Sequence, residues 1–322
     1  MAEFFLGVDL GGTKILTVVA DHNGIILASE KRPTEAEQGP EKVIDNIYAT
    51  VLDVLEKSSV RPRDVIKMGV GSPGPIGISE GMIYMAPNLY WENVPIVKLL
   101  EEKTNIPVIL ENDANAAALA EKWFGAGKDV DNLLYITVST GIGGGIIINK
   151  KIYHGVNDGA GEVGHMIIDP AGPRCGCGNP GCLEAIASGT AINRMAGEAI
   201  RQDKDTLLKE LFINNQEKID GMMIADAARQ GDQIALQIWH KAGRYLGIGL
   251  ANLINIFNPE MIVLGGGVMN AADLIFRPME ESLKEYSFES NYKSVRICQA
   301  LLGEEAGVRG AIAVAMGERL LR

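Results

Sequence analysis

One pattern of strands and glycines occurs twice in this chain, and that duplication limits the possible folds more than any other feature. The first copy reads as a strand over residues 4–10, the turn Gly11-Gly12, a strand over 14–20, the turn His22-Asn23-Gly24 and a strand over 25–31. The second reads as a strand over 132–138, the run Ser139-Thr140-Gly141-Ile142-Gly143-Gly144-Gly145, a strand over 146–149, a Lys150-Lys151 turn and a strand over 152–154. Pairing Val8-Asp9-Leu10-Gly11-Gly12 with Val138-Ser139-Thr140-Gly141-Ile142 predicts two lobes built on one plan, and two like lobes enclose a cleft. At 322 residues the chain is long enough for each lobe to have its own core.

Helical and strand periodicities alternate after the first copy: a helix over about 40–58, a strand over 65–71, the loop Ser72-Pro73-Gly74-Pro75, a helix over 96–104 and a strand over 107–111. That alternation predicts an α/β lobe. Later segments predict a long helix over 232–257, a strand over 261–264, the turn Gly265-Gly266-Gly267 and a last helix over about 305–321. No Pro/Ser-rich tether separates the lobes, which places the boundary at the strand-to-helix junction near Asp113.

Charge and cysteine usage narrow the partners. A net charge of −11 repels phosphate backbones and anionic lipid, so neither nucleic acid nor membrane is expected as a partner. The opening residues show neither a secretory leader nor a membrane-length apolar run. Three of the four cysteines fall between Cys175 and Cys182, a poor layout for disulfides and a good one for a metal in a reducing compartment. The cytoplasm fits best.

Asp9-Leu10-Gly11-Gly12-Thr13-Lys14 joins two strands, where glycines let backbone N–H groups approach a phosphate and Lys14 adds positive charge. Asp9 is placed to face an accompanying Mg²⁺. Alone, the motif reads equally well as a hairpin turn. Ser139–Gly145, with Thr140, Gly141 and Gly143, offers a second such loop, and Gly265, Gly266 and Gly267 a third, which together make a nucleotide pattern. None is a Walker loop or a dinucleotide fingerprint. In Glu111-Asn112-Asp113, Asp113 is either the N-cap of an Ala-rich helix over 114–124 or a cleft-edge general base. Two adjacent cap-competent residues allow one to cap while the other accepts a hydroxyl proton.

His165, Cys175, Cys177 and Cys182, spaced H-x9-C-x-C-x4-C with Gly176, Gly178 and Gly181 for the turns, form the donor set of a structural tetrahedral Zn²⁺ site. Cys298 lies in an apolar strand pattern and reads as unliganded core. Glu162, between Gly161 and Val163-Gly164, and Glu184, just after the metal loop, are either solvated surface charges or fixed carboxylates suited to binding hydroxyls.

These motifs together closely resemble the ROK family, named for repressors, open reading frames and kinases. The resemblance runs from about Phe4 to Gly317 and rests on Asp9–Lys14, Glu111-Asn112-Asp113, the run from Val138 to Gly164-His165, and the Cys175–Glu184 segment. It implies the duplicated sugar kinase/actin/heat-shock fold, which is ribonuclease H-like. It further implies an ATP-dependent sugar kinase with Asp113 as catalytic base, and Asn88, Asn112, Glu162, His165 and Glu184 as sugar contacts. Zinc would hold His165 and its loop. The last helix would return to the first lobe, giving a small lobe of 1–113 plus about 305–322 and a large lobe of 114–304. Homodimers or homotetramers are common in the family. The segment Ala86–Pro95 resembles that of the family's glucose kinases, which makes glucose the leading acceptor over fructose, N-acetylglucosamine, N-acetylmannosamine or allose. The family's sugar-responsive repressors carry an added DNA-binding module in front. Here Asp9 lies nine residues from the start, and both phosphate loops are intact, so a kinase is expected.

Overall fold

The computed structural model describes Glu3–Leu321. The chain divides into two compact units. One runs up to Tyr135 and adds Gly145–Gly161 and the segment from Ala300 onward; the other comprises Ile136–Gly144 and Glu162–Gln299.

Strands β1 (Phe4–Leu10), β2 (Lys14–Asp21), β3 (Ile26–Pro33) and β4 (Val65–Ser72) begin the first sheet. A small antiparallel sheet of β5 (Ile76–Gly77), β6 (Met82–Ala86) and β7 (Trp91–Val94) follows, and β8 (Val108–Asn112) completes the first sheet in the order β3-β2-β1-β4-β8. The β1–β2 and β2–β3 pairs are antiparallel, whereas β4 is parallel to β1 and β8 to β4. The helix Pro40–Ser58 has the predicted bounds and buries Val43, Ile44, Ile47, Val51, Val54 and Leu55, the stripe that its 3.6-residue period dictates. Burying each such side chain contributes roughly 2 kcal/mol before conformational entropy is charged against it. The Thr17 hydroxyl meets that of Thr50 at 2.6 Å, so the polar atoms at this strand–helix interface are paired.

The helix Ala306–Met316 packs across β1 and β4, with Val308, Ile312 and Ala315 against Phe5, Val18 and Ala20. A Cβ at Gly69 would stand 2.0 Å from the Ala311 carbonyl oxygen, and one at Gly7 would stand 2.9 Å from the Ile312 side chain. These two glycines fix how closely the chain's last helix approaches the sheet.

Strands β9 (Leu133–Val138), β10 (Ile142–Ile148), β11 (Lys151–Ile152), β12 (Met261–Gly265) and β13 (Arg296–Gln299) form the order β11-β10-β9-β12-β13. This repeats the order of the first sheet, so the expected α/β, ribonuclease H-like duplication holds. The alignment between copies shifts, however. β1 and β2 are separated by Gly11-Gly12-Thr13, and β9 and β10 by Ser139-Thr140-Gly141. Ser139 therefore corresponds to Gly11, two residues from the pairing read off the sequence. Ile142–Gly145 belongs to β10, which is hydrogen-bonded to β9 in the sheet, whereas the glycine run reads as loop in the sequence.

In the second unit the helix Gln233–Phe257 is capped by Asp232, whose side chain accepts from Ala235 N at 2.8 Å. It packs along Ala272–Tyr286. Gly243 and Gly247 allow this approach, since a Cβ on either would lie 2.6 Å or less from the carbonyl oxygens of Ile275 and Met279. Among the described residues no helix is long and apolar enough to cross a membrane.

Candidate active site

In the first unit the phosphate-type turn closes with Gly11 N donating to the Lys14 carbonyl at 3.0 Å, and the Thr34 hydroxyl donates to the Gly11 carbonyl at 2.6 Å. A Cβ at Gly12 would sit 2.8 Å from the Asn88 carbonyl oxygen, so only glycine lets the turn abut the Pro87–Leu89 segment, where Pro87 and Asn88 are exposed and Leu89 is buried. Asn88 is thus a neighbour of Gly12, a closeness no spacing argument reveals. Thr13 is exposed and Lys14 half-buried at the start of β2.

Asp9 lies on β1 opposite Leu16 and beside Gly71, its backbone held by both neighbouring strands. Burial pushes its carboxyl above the ordinary carboxylate range and Lys14 opposes this in part. A cation at this place would favour the ionised form. Gly307, in the first turn of Ala306–Met316, faces the same carboxyl: a Cβ there would stand 2.6 Å from Oδ2. Sequence reading missed Gly307. Its only signal is a glycine in the first turn of an otherwise Ala-rich helix, where it costs helix stability.

The Asn112-Asp113 pair resolves as one cap and one exposed carboxylate. Asn112 Oδ1 accepts from Ala114 N at 2.9 Å and Asn115 N at 3.3 Å, making Asn112 the N-cap of Asp113–Trp123. Asp113 is exposed at the first helical position, and its Oδ1 accepts from Ala114 N at 2.8 Å. Behind them Glu111 is 5% exposed yet satisfied.

In the second unit the turn Ser139-Thr140-Gly141 is held from three sides. Ser139 N donates to the Gly141 carbonyl at 2.8 Å. The first residues of the helix Gly189–Arg201 donate from Gly189 N to the Ser139 carbonyl at 2.7 Å and from Thr190 N to the Thr140 carbonyl at 3.3 Å. Glu184 Oε2 accepts from Ile142 N at 2.9 Å, and a Cβ at Gly141 would meet that oxygen at 2.3 Å. Gly143 lies inside β10 rather than in the turn. Gly265 ends β12, and Gly266 takes φ +89° with its Cα against β9, where a Cβ would strike the Val138 carbonyl oxygen at 2.3 Å. Gly267 opens the short helix that follows. The second and third glycine turns are therefore neighbours.

His165, Cys175, Cys177 and Cys182 gather with their donor atoms all within 4.8 Å of one another. Backbone pairing does this: Ile168 N donates to the Gly181 carbonyl at 2.9 Å and Leu183 N to the Met166 carbonyl at 2.9 Å, which lays the segment following His165 along Cys182. Gly178 N donates to the Cys175 carbonyl at 3.0 Å, closing the tight turn that carries Cys175 and Cys177. Tyr245 OH, from the long helix, donates to Asp169 Oδ2 at 3.2 Å and pins the loop. The Cys175 Sγ to His165 Nδ1 and Cys177 Sγ to Cys182 Sγ distances are both 3.6 Å. Zinc with sulfur at about 2.3 Å holds tetrahedral ligand atoms about 3.5–3.8 Å apart, so the donor set fits this ion. Burial pushes the Cys182 thiol up to about 12 and raises Cys175 as well. A divalent cation is what turns such thiols into thiolates. Metal binding through Nδ1 directs Nε2 of His165 elsewhere, and Glu162 Oε2 lies 3.8 Å from it. Glu184 Oε1 stands 3.6 Å from Cys175 Sγ, so this carboxylate touches both the metal loop and the second glycine turn.

The structure thus brings Asp9, Gly11, Gly12, Thr13, Lys14, Asn88, Asn112 and Asp113 into one unit, and Thr140, Gly141, Gly143, Glu162, His165, Glu184 and the Gly265–Gly267 turn into the other.

Comparison with known proteins agrees with this architecture. The ROK family model matches residues 5–318. A glucokinase of Thermotoga maritima is 40% identical, with 96% of each chain covered. A ROK family glucokinase from Streptomyces griseus, solved in complex with glucose and AMPPNP, superposes with a TM-score of 0.79 at 35% identity, covering 97% of this chain and 99% of its own. A xylose repressor of Caldicellulosiruptor bescii is 33% identical over 98% of this chain and 78% of its own length. A duplicated ribonuclease H-like α/β protein with glycine turns and a Cys₃His cluster is the class these features define. The chain belongs to the ROK family.

Proposed function

We propose that this protein is a cytoplasmic, ATP-dependent sugar kinase that converts glucose to glucose 6-phosphate, with Asp113 as the general base. The observation that carries this reading is the division of labour at the end of β8, where Asn112 caps the helix and the Asp113 carboxylate stands exposed at its first position. The similarity to glucokinases supports ATP as donor and a hexose as acceptor.

In this reading the Asp113 carboxylate takes the proton from the sugar 6-hydroxyl as its oxygen attacks the γ-phosphorus, the β–γ bridging bond breaks and ADP leaves. Backbone N–H groups of the glycine turns, with Lys14, bind the phosphates. Asp9 would hold Mg²⁺, which when bound shields the triphosphate charge. Asn88, Asn112, Glu162, His165 and Glu184 supply the donors and acceptors that tell one hexose from another. An epimer leaves one of them unpaired at about 1–3 kcal/mol, or roughly tenfold to hundredfold. His165 Nδ1 and the three cysteine sulfurs would hold Zn²⁺ as a rigid cross-link, and His165 then presents Nε2 to the sugar.

The test is a panel of hexoses and N-acetylhexosamines with ATP and Mg²⁺, scored by ADP release, with the glucose product read by glucose-6-phosphate dehydrogenase. Glucose is expected to give the highest kcat/KM, and a clearly higher value for another sugar refutes the assignment. The xylose-repressor relative favours a second reading, a sugar-responsive regulator, which the same panel would reveal as sugar binding without ATP turnover.

A further inference from the structure

Glu111 is a buried carboxylate immediately before the Asn112-Asp113 pair, and all its contacts are on one network. Oε1 accepts from Asn112 N and from Asn115 Nδ2, each at 2.9 Å, and Oε2 meets His154 Nε2 at 2.8 Å. One carboxylate thereby spans the end of β8 and the first turn of the helix Asp113–Trp123. His154 follows β11, and its carbonyl accepts from Ala160 N at 3.0 Å. The same loop is tied down further on, where Ile78 N donates to Asp158 Oδ2 at 2.9 Å. An unpaired buried carboxylate is expensive, so the partner on Oε2 decides what charge stands behind Asp113.

We propose that His154 is a positioning residue for phosphoryl transfer: its imidazolium cancels the Glu111 charge and fixes the strand end that presents Asn112 and Asp113. This rests on the reading of Asp113 as general base. The hydrogen bond from Glu111 holds the His154 ring above the ordinary imidazole range, with burial opposing it. The charged groups facing the ring are Glu111 from β8 and Asp158 from the loop after β11. With the imidazolium gone, the Glu111 carboxylate lies two residues from Asp113 without a counter-charge. A like charge favours the protonated, idle form of a base as the pH falls.

The experiment compares pH profiles of kcat/KM for wild type, His154→Gln, His154→Arg and Glu111→Gln. His154→Gln keeps a hydrogen-bond donor without charge. Its loss relative to wild type should be about tenfold greater near pH 6 than near pH 8.5, since wild type itself loses the imidazolium as the pH rises. His154→Arg should restore most of the low-pH activity. A loss equal at all pH values, or no rescue by Arg, makes the contact merely structural and overturns the proposal. Titrating the His154 ring by NMR in the wild-type chain requires no substitution to fold. A ring that titrates at or below the ordinary imidazole value overturns the ion pair regardless of what Asp113 does. An elevated value beside an active Asp113→Asn variant would instead refute the base assignment alone.

Discussion

Gly307→Ala tests the site at a residue that touches no substrate in any sequence-based reading. The added methyl would lie 2.6, 2.7 and 2.9 Å from Asp9 Oδ2, Cγ and Oδ1, where ordinary contact begins at 3.4 Å. The Asp9 backbone is laddered to β2 and β4 and cannot retreat, so the carboxyl itself must swing by about 0.8 Å. A displacement of that order at a catalytic centre costs about 100-fold in rate. Global stability should change little, because alanine gains about 1 kcal/mol over glycine in a helix while the crowding costs about 1–3 kcal/mol. The expected result is a folded protein with a melting temperature within a few degrees of wild type and kcat/KM for ATP lowered about 100-fold, measured by coupled ADP release. The double variant with Asp9→Asn should be no worse than Asp9→Asn alone, since both act on one carboxylate. A Gly307→Ala enzyme with kcat/KM for ATP within threefold of wild type would refute the placement of Asp9 in the nucleotide site.

Three further outcomes follow from the same geometry. Asp113→Asn should keep the fold, because Asn112 caps the helix, and should lose about 10²–10⁴ in kcat with sugar binding retained; calorimetry and steady-state kinetics separate the two. Cys177→Ser should lower zinc content by elemental analysis together with glucose affinity, and active wild-type enzyme free of zinc would break this link. The His154–Glu111 pair should stabilise the fold in a pH-dependent way. Its folded-state value is raised, so the contribution is fully present below the unfolded imidazole value and fades as pH rises through the folded one. Thermal melts of wild type and His154→Gln should therefore diverge most near pH 6 and converge above about pH 8, and a constant gap over that window would contradict it.

Much of the fold was legible in the chain because its signals are local. A nearly continuous apolar run ending at the Gly11-Gly12 turn gave β1 its bounds, the 3.6-residue stripe gave Pro40–Ser58, and the cysteine spacing gave the His/Cys cluster, which the backbone then gathered. Local signals failed where glycine had more than one use. Ile142–Gly145 looks like a loop and is strand, because the reason for its glycines lies in what packs across them: a Cβ at Gly145 would strike Ala118 at 2.5 Å. Three helices between Leu183 and Arg229 run only 5, 7 and 9 residues, too few turns to show a period, whereas the 13-residue helix Gly189–Arg201 was missed although its buried Ala191, Ile192, Ala196 and Ala199 lie on one face.

For the candidate site, the sequence by itself determined which chemical groups are available: a carboxylate beside an amide at the end of β8, glycines where phosphate can approach, and three thiols with an imidazole. Tertiary structure alone decided how each is used. It made Asn112 rather than Asp113 the cap, set Gly307 against Asp9 across almost 300 residues of chain, and joined His154 to Glu111. It also committed one oxygen of Glu184 to the Ile142 amide. Residue type fixes what a group can donate or accept, whereas its partner, its burial and hence its charge depend on segments that only folding brings within a few ångströms.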